Sequence, residues 1–288
     1  MRITQRAYAK INWSLRILGA RPDGYHELDM LMQSLELHDE LILENSRWLG
    51  LSISGQKLPV GEKNLVMRAA NALNAFTGQR NGARIHLVKN IPMRAGLGGG
   101  SADCAATLLA LNRLWNLHIP MQRLMQIGAS LGGDVPFCMQ GGMARVQGKG
   151  ERVSAMPNMP SVPMVLVRVG RGLSTPQVFA QYDRAPRQDA VLSIPDLASA
   201  LHSGNLERAW AQSGNALEAP AMELMPEIGA AMENLRRLGA NFVRMTGSGS
   251  TVFGAFSSET AAQMAADAIP DAILTRTRPE TDEIFRGN

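Results

Sequence analysis

The stretch "IPMRAGLGGGSADCAATLLALNRLW", residues 91–115, sets Gly98, Gly99 and Gly100 directly ahead of a run of strong helix formers. Glycine costs backbone entropy and packs no core, so a triplet at that place has to serve geometry. A loop without Cβ atoms lets its N–H groups surround an anion. The helix that follows aims its unpaired amides and the positive end of its dipole at the same point. The order strand, glycine loop, helix therefore points to a bound polyphosphate, the plainer alternative being a flexible turn. Ser101 is placed to add a hydroxyl to a phosphate oxygen or a bound Mg²⁺, and Lys89 to supply a positive charge to a nucleotide. A Walker loop needs Lys then Ser or Thr after the last glycine, but Ser101-Ala102 follows here. A dinucleotide fingerprint forced onto Gly96, Gly98 and Gly99 has the wrong spacing.

Around this loop the pattern alternates strands and helices. "YAKINWSLRIL", "DELILE", "LGLSISG" and "ARIHLVKNI" read as strands. "NLVMRAANALNAFTG" reads as a helix with Asn64 as N-cap and Gly78 beyond its end. A helix over "PMQRLMQIGASLGG" comes next, then strands and turns over "DVPFCMQGGMARVQGKGERV". The Pro-rich passage "AMPNMPSVP", residues 155–163, is the best linker candidate. Beyond it come a strand at "MVLVRVG", helices at "SIPDLASALHSG" and "NLERAWAQSGNALE", and a longer helix at "AMELMPEIGAAMENLRRLGA". Two strands around a glycine turn in "NFVRMTGSGSTVFGAF", the helix "SETAAQMAADAI" and the strand "DAILTRTRP" complete the chain. Both halves are α+β material, and the 288 residues divide into domains over 1–155 and 156–288.

Composition removes several classes. No uninterrupted apolar run approaches the roughly 18 residues of a membrane span, and the N-terminus lacks the apolar core of a secretory signal. Cys104 and Cys138 form no disulfide framework and have no metal-ligand spacing, which suits buried thiols in a reducing cytoplasm. The net charge of +4 favours anionic partners. No dense Lys/Arg stripe accompanies it and aromatics make up only 5%, so small phosphorylated ligands fit better than nucleic acid.

The loop resembles Pro-X-X-X-Gly-Leu-Gly-X-Gly/Ala-Ser, the mark of the GHMP small-molecule kinases, with Pro92, Gly96, Leu97, Gly98, Gly99, Gly100 and Ser101 in those positions. The resemblance implies a two-domain α+β GHMP kinase fold with the active site in the cleft between domains. It also implies ATP phosphates on a loop that runs from Pro92 through Met93, Arg94, Ala95, Gly96, Leu97, Gly98, Gly99, Gly100 and Ser101 to Ala102. "AKIN" followed by "RPDGYH", "GGDVPFCMQGG", "GRGLSTPQVF" and "MTGSGSTVFGAF" resemble one branch of that family. That branch phosphorylates the 2-hydroxyl of a cytidylylated sugar alcohol, 4-diphosphocytidyl-2-C-methyl-D-erythritol, in the non-mevalonate isoprenoid pathway. Arg94-Ala95 stands where other members often carry small residues.

On this resemblance Asp134 is the general base and Lys10 its partner cation, which keeps the carboxylate ionised and steadies charge on the attacking oxygen. Without the resemblance, Asp134 reads as a turn or cap aspartate and Lys10 as a strand-edge lysine. Tyr25 would stack on cytosine, Phe179 would cover the opposite face, and His26 would meet the base edge with a ring nitrogen or its backbone. Asn12 and Thr175 would contact the methylerythritol and phosphate region. Asn64 is open between capping and nucleotide contact. ATP is the implied co-substrate, with Mg²⁺ carried mainly by ATP and no dedicated metal site. The expected partners are small molecules, without nucleic acid or membrane, for a cytoplasmic monomer or weak homodimer. Another GHMP kinase, a catalytically silent binding protein of the same fold, and an α+β nucleic-acid-binding module are the competing readings; the presence of Lys10 and Asp134 argues against the silent one.

Overall fold

The computed structural model describes residues 1–185 and 193–278. The chain opens with two long strands, β1 (Arg2–Ala20) and β2 (His26–Ser46), paired antiparallel along nearly their whole length. The short strand expected at "DELILE" is thus the distal half of a 21-residue strand. Alternating burial governs the first residues of β1, whereas Ala9 to Leu15 are buried on both faces. That continuous burial is what a strand covered from two sides requires.

Next come β3 (Gly50–Ser54), α1 (Leu65–Thr77) and β4 (Gly82–Val88). Helix α1 has the expected caps: the Asn64 side chain accepts from the Val66 N–H at 2.9 Å, and Gly78 closes the other end in a left-handed conformation. Helices α2 (Gly99–Leu114), α3 (Met121–Leu131) and α4 (Val135–Gln140) follow, then β5 (Met143–Gly148) and β6 (Arg152–Ala155). Two expectations need correcting. Gly99 and Gly100 are the first helical residues of α2, with Gly98 as N-cap, and "VPFCMQ" is a helix rather than a strand. Pro136 sits in the first turn of α4, where its missing N–H has no intrahelical partner to lose.

The first sheet runs β3-β4-β2-β5-β6, with β1 added along β2. The length of β2 lets its first half pair with β5 and its second half with β4. Helices α1 to α4 pack Val66, Ala69, Leu73, Cys104, Leu108, Leu111, Leu124 and Val135 against Leu41, Leu43, Ile85 and Leu87 of the sheet. Burial of such side chains supplies about 1.5–3 kcal/mol each.

After the Pro-rich passage come β7 (Pro163–Arg168), α5 (Thr175–Arg184), α6 (Ile194–His202), α7 (Leu206–Ala211), α8 (Glu218–Leu224) and α9 (Glu227–Arg237). Then β8 (Phe242–Met245), β9 (Thr251–Ala255), α10 (Glu259–Asp267) and β10 (Ile273–Arg276) complete the described chain. The single long helix expected at "AMELMPEIGAAMENLRRLGA" is two, because Pro226 has no N–H to continue α8 and instead starts α9. These strands form an antiparallel sheet in the order β10-β7-β9-β8. Trp13 of β1 is fully buried edge-on against Phe242 and Phe253 of this second sheet, with ring centroids 4.8 and 5.7 Å away. The centre of β1 therefore joins both layers, and its Lys10 sits where they meet.

Candidate active site

The glycine loop is bound at its back before it meets any ligand. Lys10 N–H donates to the Leu97 carbonyl at 3.0 Å, Thr251 N–H to the Ala95 carbonyl at 3.3 Å, and the Thr246 hydroxyl to the Gly96 carbonyl at 3.3 Å. A Cβ on Gly96, at φ +75°, would stand 2.2 Å from the Thr246 carbonyl oxygen. The two glycine motifs of the sequence, one leading α2 and one between β8 and β9, are therefore packed backbone to backbone. Arg94 holds a left-handed conformation, φ 52°, and its carbonyl lies where a Cβ on Gly172 would come to 2.2 Å.

At the front of the loop the N–H groups of Gly99, Gly100 and Ser101 stand in the first turn of α2, where no carbonyl inside the helix can accept from them. Ala102 differs from expectation: its N–H is taken by the Gly98 carbonyl at 2.9 Å and its side chain is buried in the core. The run of amides without a helix partner thus ends at Ser101, because Ala102 makes the first internal helix bond.

Lys10 is 4% exposed, and its Nζ donates to Asn12 Oδ1 at 2.8 Å and lies 3.6 Å from Asp134 Oδ2. The Lys10 stem runs across Gly98, where a Cβ would stand 2.9 Å from its Cγ. Asp134 occupies the N-cap position of α4, yet its side chain makes no capping hydrogen bond and pairs with Lys10 instead. The capping reading of Asp134 is therefore not how the carboxylate is used.

Lys89 is placed differently from the charge donor expected of it. Its ammonium is buried between the carboxylates of Asp39 and Asp103, 2.9 Å from the latter. Asp39 also accepts from the N–H groups of Asn90 and Ile91 at 2.6 and 2.8 Å, which pins the start of the loop to β2. Burial pulls the Lys89 ammonium down, but the charges of Asp103 and Asp39 more than offset this and its pKa ends raised. Burial also pushes the Asp103 carboxyl up to about 7, against the pull of Lys89. One lysine cannot neutralise two buried carboxylates, so the trio retains an extra proton near neutrality.

The turn between β1 and β2 aims the aromatic residues. Asp23 accepts from the Tyr25 N–H at 3.2 Å and from Arg21 Nε at 3.2 Å, and Arg21 also donates to Glu27 at 2.6 Å. The hydrogen bond from Arg21 holds the Asp23 carboxyl below its ordinary range. Tyr25 stays exposed, with the Lys149 ammonium 4.8 Å from its ring centroid. Phe179, expected on the far face of a base, lies on His26, with centroids 4.7 Å apart and planes at 24°. Thr175 shares a 2.8 Å hydrogen bond with Ser248, and the Asn12 side chain is turned toward Lys10.

The glycine loop, the Lys10–Asp134 pair and the aromatic residues line one cleft of about 1030 Å³. Its walls include Lys10, Asn12, Tyr25, His26, Lys89, the run 92–101, Asp134, Thr175 and Phe179. Asn64 both caps α1 and lines the cleft. The volume exceeds what one drug-sized ligand needs and suits two substrates side by side. Sequence reasoning did not single out Asp39, Asp103, Lys149, Asp183 or Thr246. Lys149 and Asp183 lie in stretches without a motif, and Asp39 and Thr246 act on residues far away in the chain.

Comparison with known proteins shows the family. The GHMP kinases N terminal domain family matches residues 64–142, and the GHMP kinases C terminal family matches residues 197–273. A 4-diphosphocytidyl-2-C-methyl-D-erythritol kinase of Pelotomaculum thermopropionicum is 43% identical over 272 residues, covering 92% of this chain and 93% of the relative. One from Moorella thermoacetica is 42% identical, covering 96% of this chain and 99% of the relative. This chain belongs to the 4-diphosphocytidyl-2-C-methyl-D-erythritol kinases, within the GHMP kinases. A crystal structure of a 4-(cytidine 5'-diphospho)-2C-methyl-D-erythritol kinase, 36% identical, superposes with a TM-score of 0.82 over 96% of this chain and 99% of that one. The L. major mevalonate kinase crystallised with R-mevalonate shares the fold, with a TM-score of 0.73 over 97% of each chain at 15% identity. In this GHMP kinase the matched N-terminal segment begins at residue 64, so Lys10, Tyr25 and His26 lie on the β1–β2 hairpin ahead of it. Among the described residues no helix is long and apolar enough to cross a membrane.

Proposed function

We infer that the chain transfers the γ-phosphoryl group of ATP to the 2-hydroxyl of 4-diphosphocytidyl-2-C-methyl-D-erythritol, a step of the non-mevalonate isoprenoid pathway. The observation that carries the site assignment is the Lys10–Asp134 pair standing in the same cleft as the free amides of Gly99, Gly100 and Ser101. Phosphoryl transfer asks for in-line positioning, neutralised phosphate charge and an acceptor for the hydroxyl proton. Residues 92–101 hold the ATP phosphates with backbone N–H groups and the dipole of α2. Asp134 takes the proton from the 2-hydroxyl as the new O–P bond forms. Lys10, held by Asn12 and 3.6 Å from the Asp134 carboxylate, stabilises negative charge on the attacking oxygen. Lys89 supports the loop through Asp39 and Asp103 rather than offering an unpaired charge.

Among the described residues no group of three His, Cys, Asp or Glu side chains is arranged to hold a metal. A Mg²⁺ ion would be bound mainly by phosphate oxygens and water, with the Ser101 hydroxyl as the chain's own oxygen. Such an ion would neutralise phosphate charge. At the other end of the cleft Tyr25, His26 and Phe179 take the cytosine, while Thr175 and Asn12 flank the sugar alcohol and its phosphates. The reading is that of a cytoplasmic enzyme of small-molecule substrates.

The decisive test is phosphotransfer from ATP with 4-diphosphocytidyl-2-C-methyl-D-erythritol, homoserine and mevalonate offered in parallel. Turnover of the first alone is expected. The variant Asp134→Asn should retain fold and ATP binding while kcat falls by a factor of about 10²–10⁴, the usual worth of a positioned base. Near-normal kcat in that variant would remove Asp134 from the mechanism.

A further inference from the structure

His26 is held from three directions. Phe179 of α5 stacks on one face, Tyr182 meets the ring edge-on at 6.1 Å, and Asp183 Oδ1 lies 2.8 Å from Nε2. Phe179 and Asp183 are four residues apart on α5, so one helical face supplies both the stacking ring and the carboxylate. His26, Phe179 and Asp183 all line the wide cleft that holds the glycine loop.

An ionised carboxylate can only accept hydrogen bonds. Asp183 therefore places the proton of a neutral His26 ring on Nε2 and leaves Nδ1 as an acceptor. Among the described residues no side chain or backbone group makes a hydrogen bond to Nδ1 that would reverse this choice. We propose that Asp183 is a positioning residue that fixes the His26 tautomer and thereby makes the cleft prefer a base with an exocyclic amine over one with a carbonyl there. This proposal rests on the reading of the substrate as a cytidine diphosphate ester and deepens it. Cytosine presents an N4 amine that donates to Nδ1. Uracil presents O4 at the same place, and two lone pairs then face each other across a desolvated contact.

Asp183→Asn separates this role from a merely structural one. The amide keeps the size of the carboxylate but can also donate, so it no longer dictates which ring nitrogen carries the proton. The full-length wild type, Asp183→Asn and Asp183→Glu are assayed with 4-diphosphocytidyl-2-C-methyl-D-erythritol and with its uridine counterpart. In Asp183→Asn the ratio of kcat/KM for the cytidine over the uridine substrate should fall roughly tenfold. The change should be carried by KM for the nucleotide ester and not by KM for ATP. Asp183→Glu should recover most of the ratio. ¹⁵N spectra of the His26 ring in the unliganded enzymes should show protonated Nε2 in the wild type and a mixture in Asp183→Asn. An unchanged ratio in an active Asp183→Asn enzyme, or equal loss for both nucleotides, overturns the proposal alone. A wild type inactive on the cytidine substrate overturns the functional reading and the proposal with it.

Discussion

Replacing Gly98 by alanine tests how the loop and Lys10 are coupled. Gly98 holds φ +70°, where an L residue costs about 1–2 kcal/mol. The added methyl would stand 2.9 Å from Lys10 Cγ and 3.1 Å from its Cε. The Lys10 backbone is tied to Leu97, so the side chain has to give way. It cannot do so freely, because Nζ is bonded to Asn12 at 2.8 Å and stands 3.6 Å from Asp134. Thermal unfolding should therefore fall by only a few degrees, since about 1 kcal/mol moves Tm by about 2–4 °C in large domains. Displacement approaching an ångström at the reacting centre costs about 10²-fold in rate, so kcat measured by ADP release should fall on that order. Gly100→Ala is the control. That residue is helical, its added methyl would meet only Leu65 Cδ1 at 3.4 Å, and alanine gains up to about 1 kcal/mol of helix propensity there. It should unfold no earlier than the wild type. A Gly98→Ala enzyme with lowered Tm but unchanged kcat would refute the coupling.

Two further expectations concern the buried trio under the loop. Lys89→Met leaves Asp39 and Asp103 without their cation and should destabilise the fold by about 3–5 kcal/mol in urea unfolding; adding Asp39→Asn and Asp103→Asn to it should recover part of that loss, and no recovery would mean the charges are not the cause. Because the folded Asp103 carboxyl titrates near 7, above its ordinary 3.8, the folded chain binds more protons than the unfolded one between those values. Wild-type stability should accordingly decline from about pH 4 to pH 7 relative to Asp103→Asn, and a rise over that window would contradict the assignment.

Local physics made much of this protein readable. The caps of α1 at Asn64 and Gly78, the glycine loop before α2, and the hairpin with its glycine turn at 246–250 follow from neighbours a few residues apart. The errors share a cause. "VPFCMQ" and the two halves of "AMELMPEIGAAMENLRRLGA" are short segments whose extent was settled by where the chain could be buried and by one proline. Ala102 fell outside the run of helix amides without a partner because the helix starts two residues earlier than the run of good helix formers suggested.

Residue types and spacing within about a dozen positions thus determined the family of the chain, its glycine loop, and the identity of Lys10 and Asp134 as candidates. Only the folded molecule decided that Lys10 lies across Gly98, that Lys89 is closed off by Asp39 and Asp103, and that Asp183 meets His26 from 157 residues away. Such pairings depend on burial and on the register between distant elements. A one-dimensional pattern records which side chains can make those contacts, while the packing of the two sheets determines which of them meet.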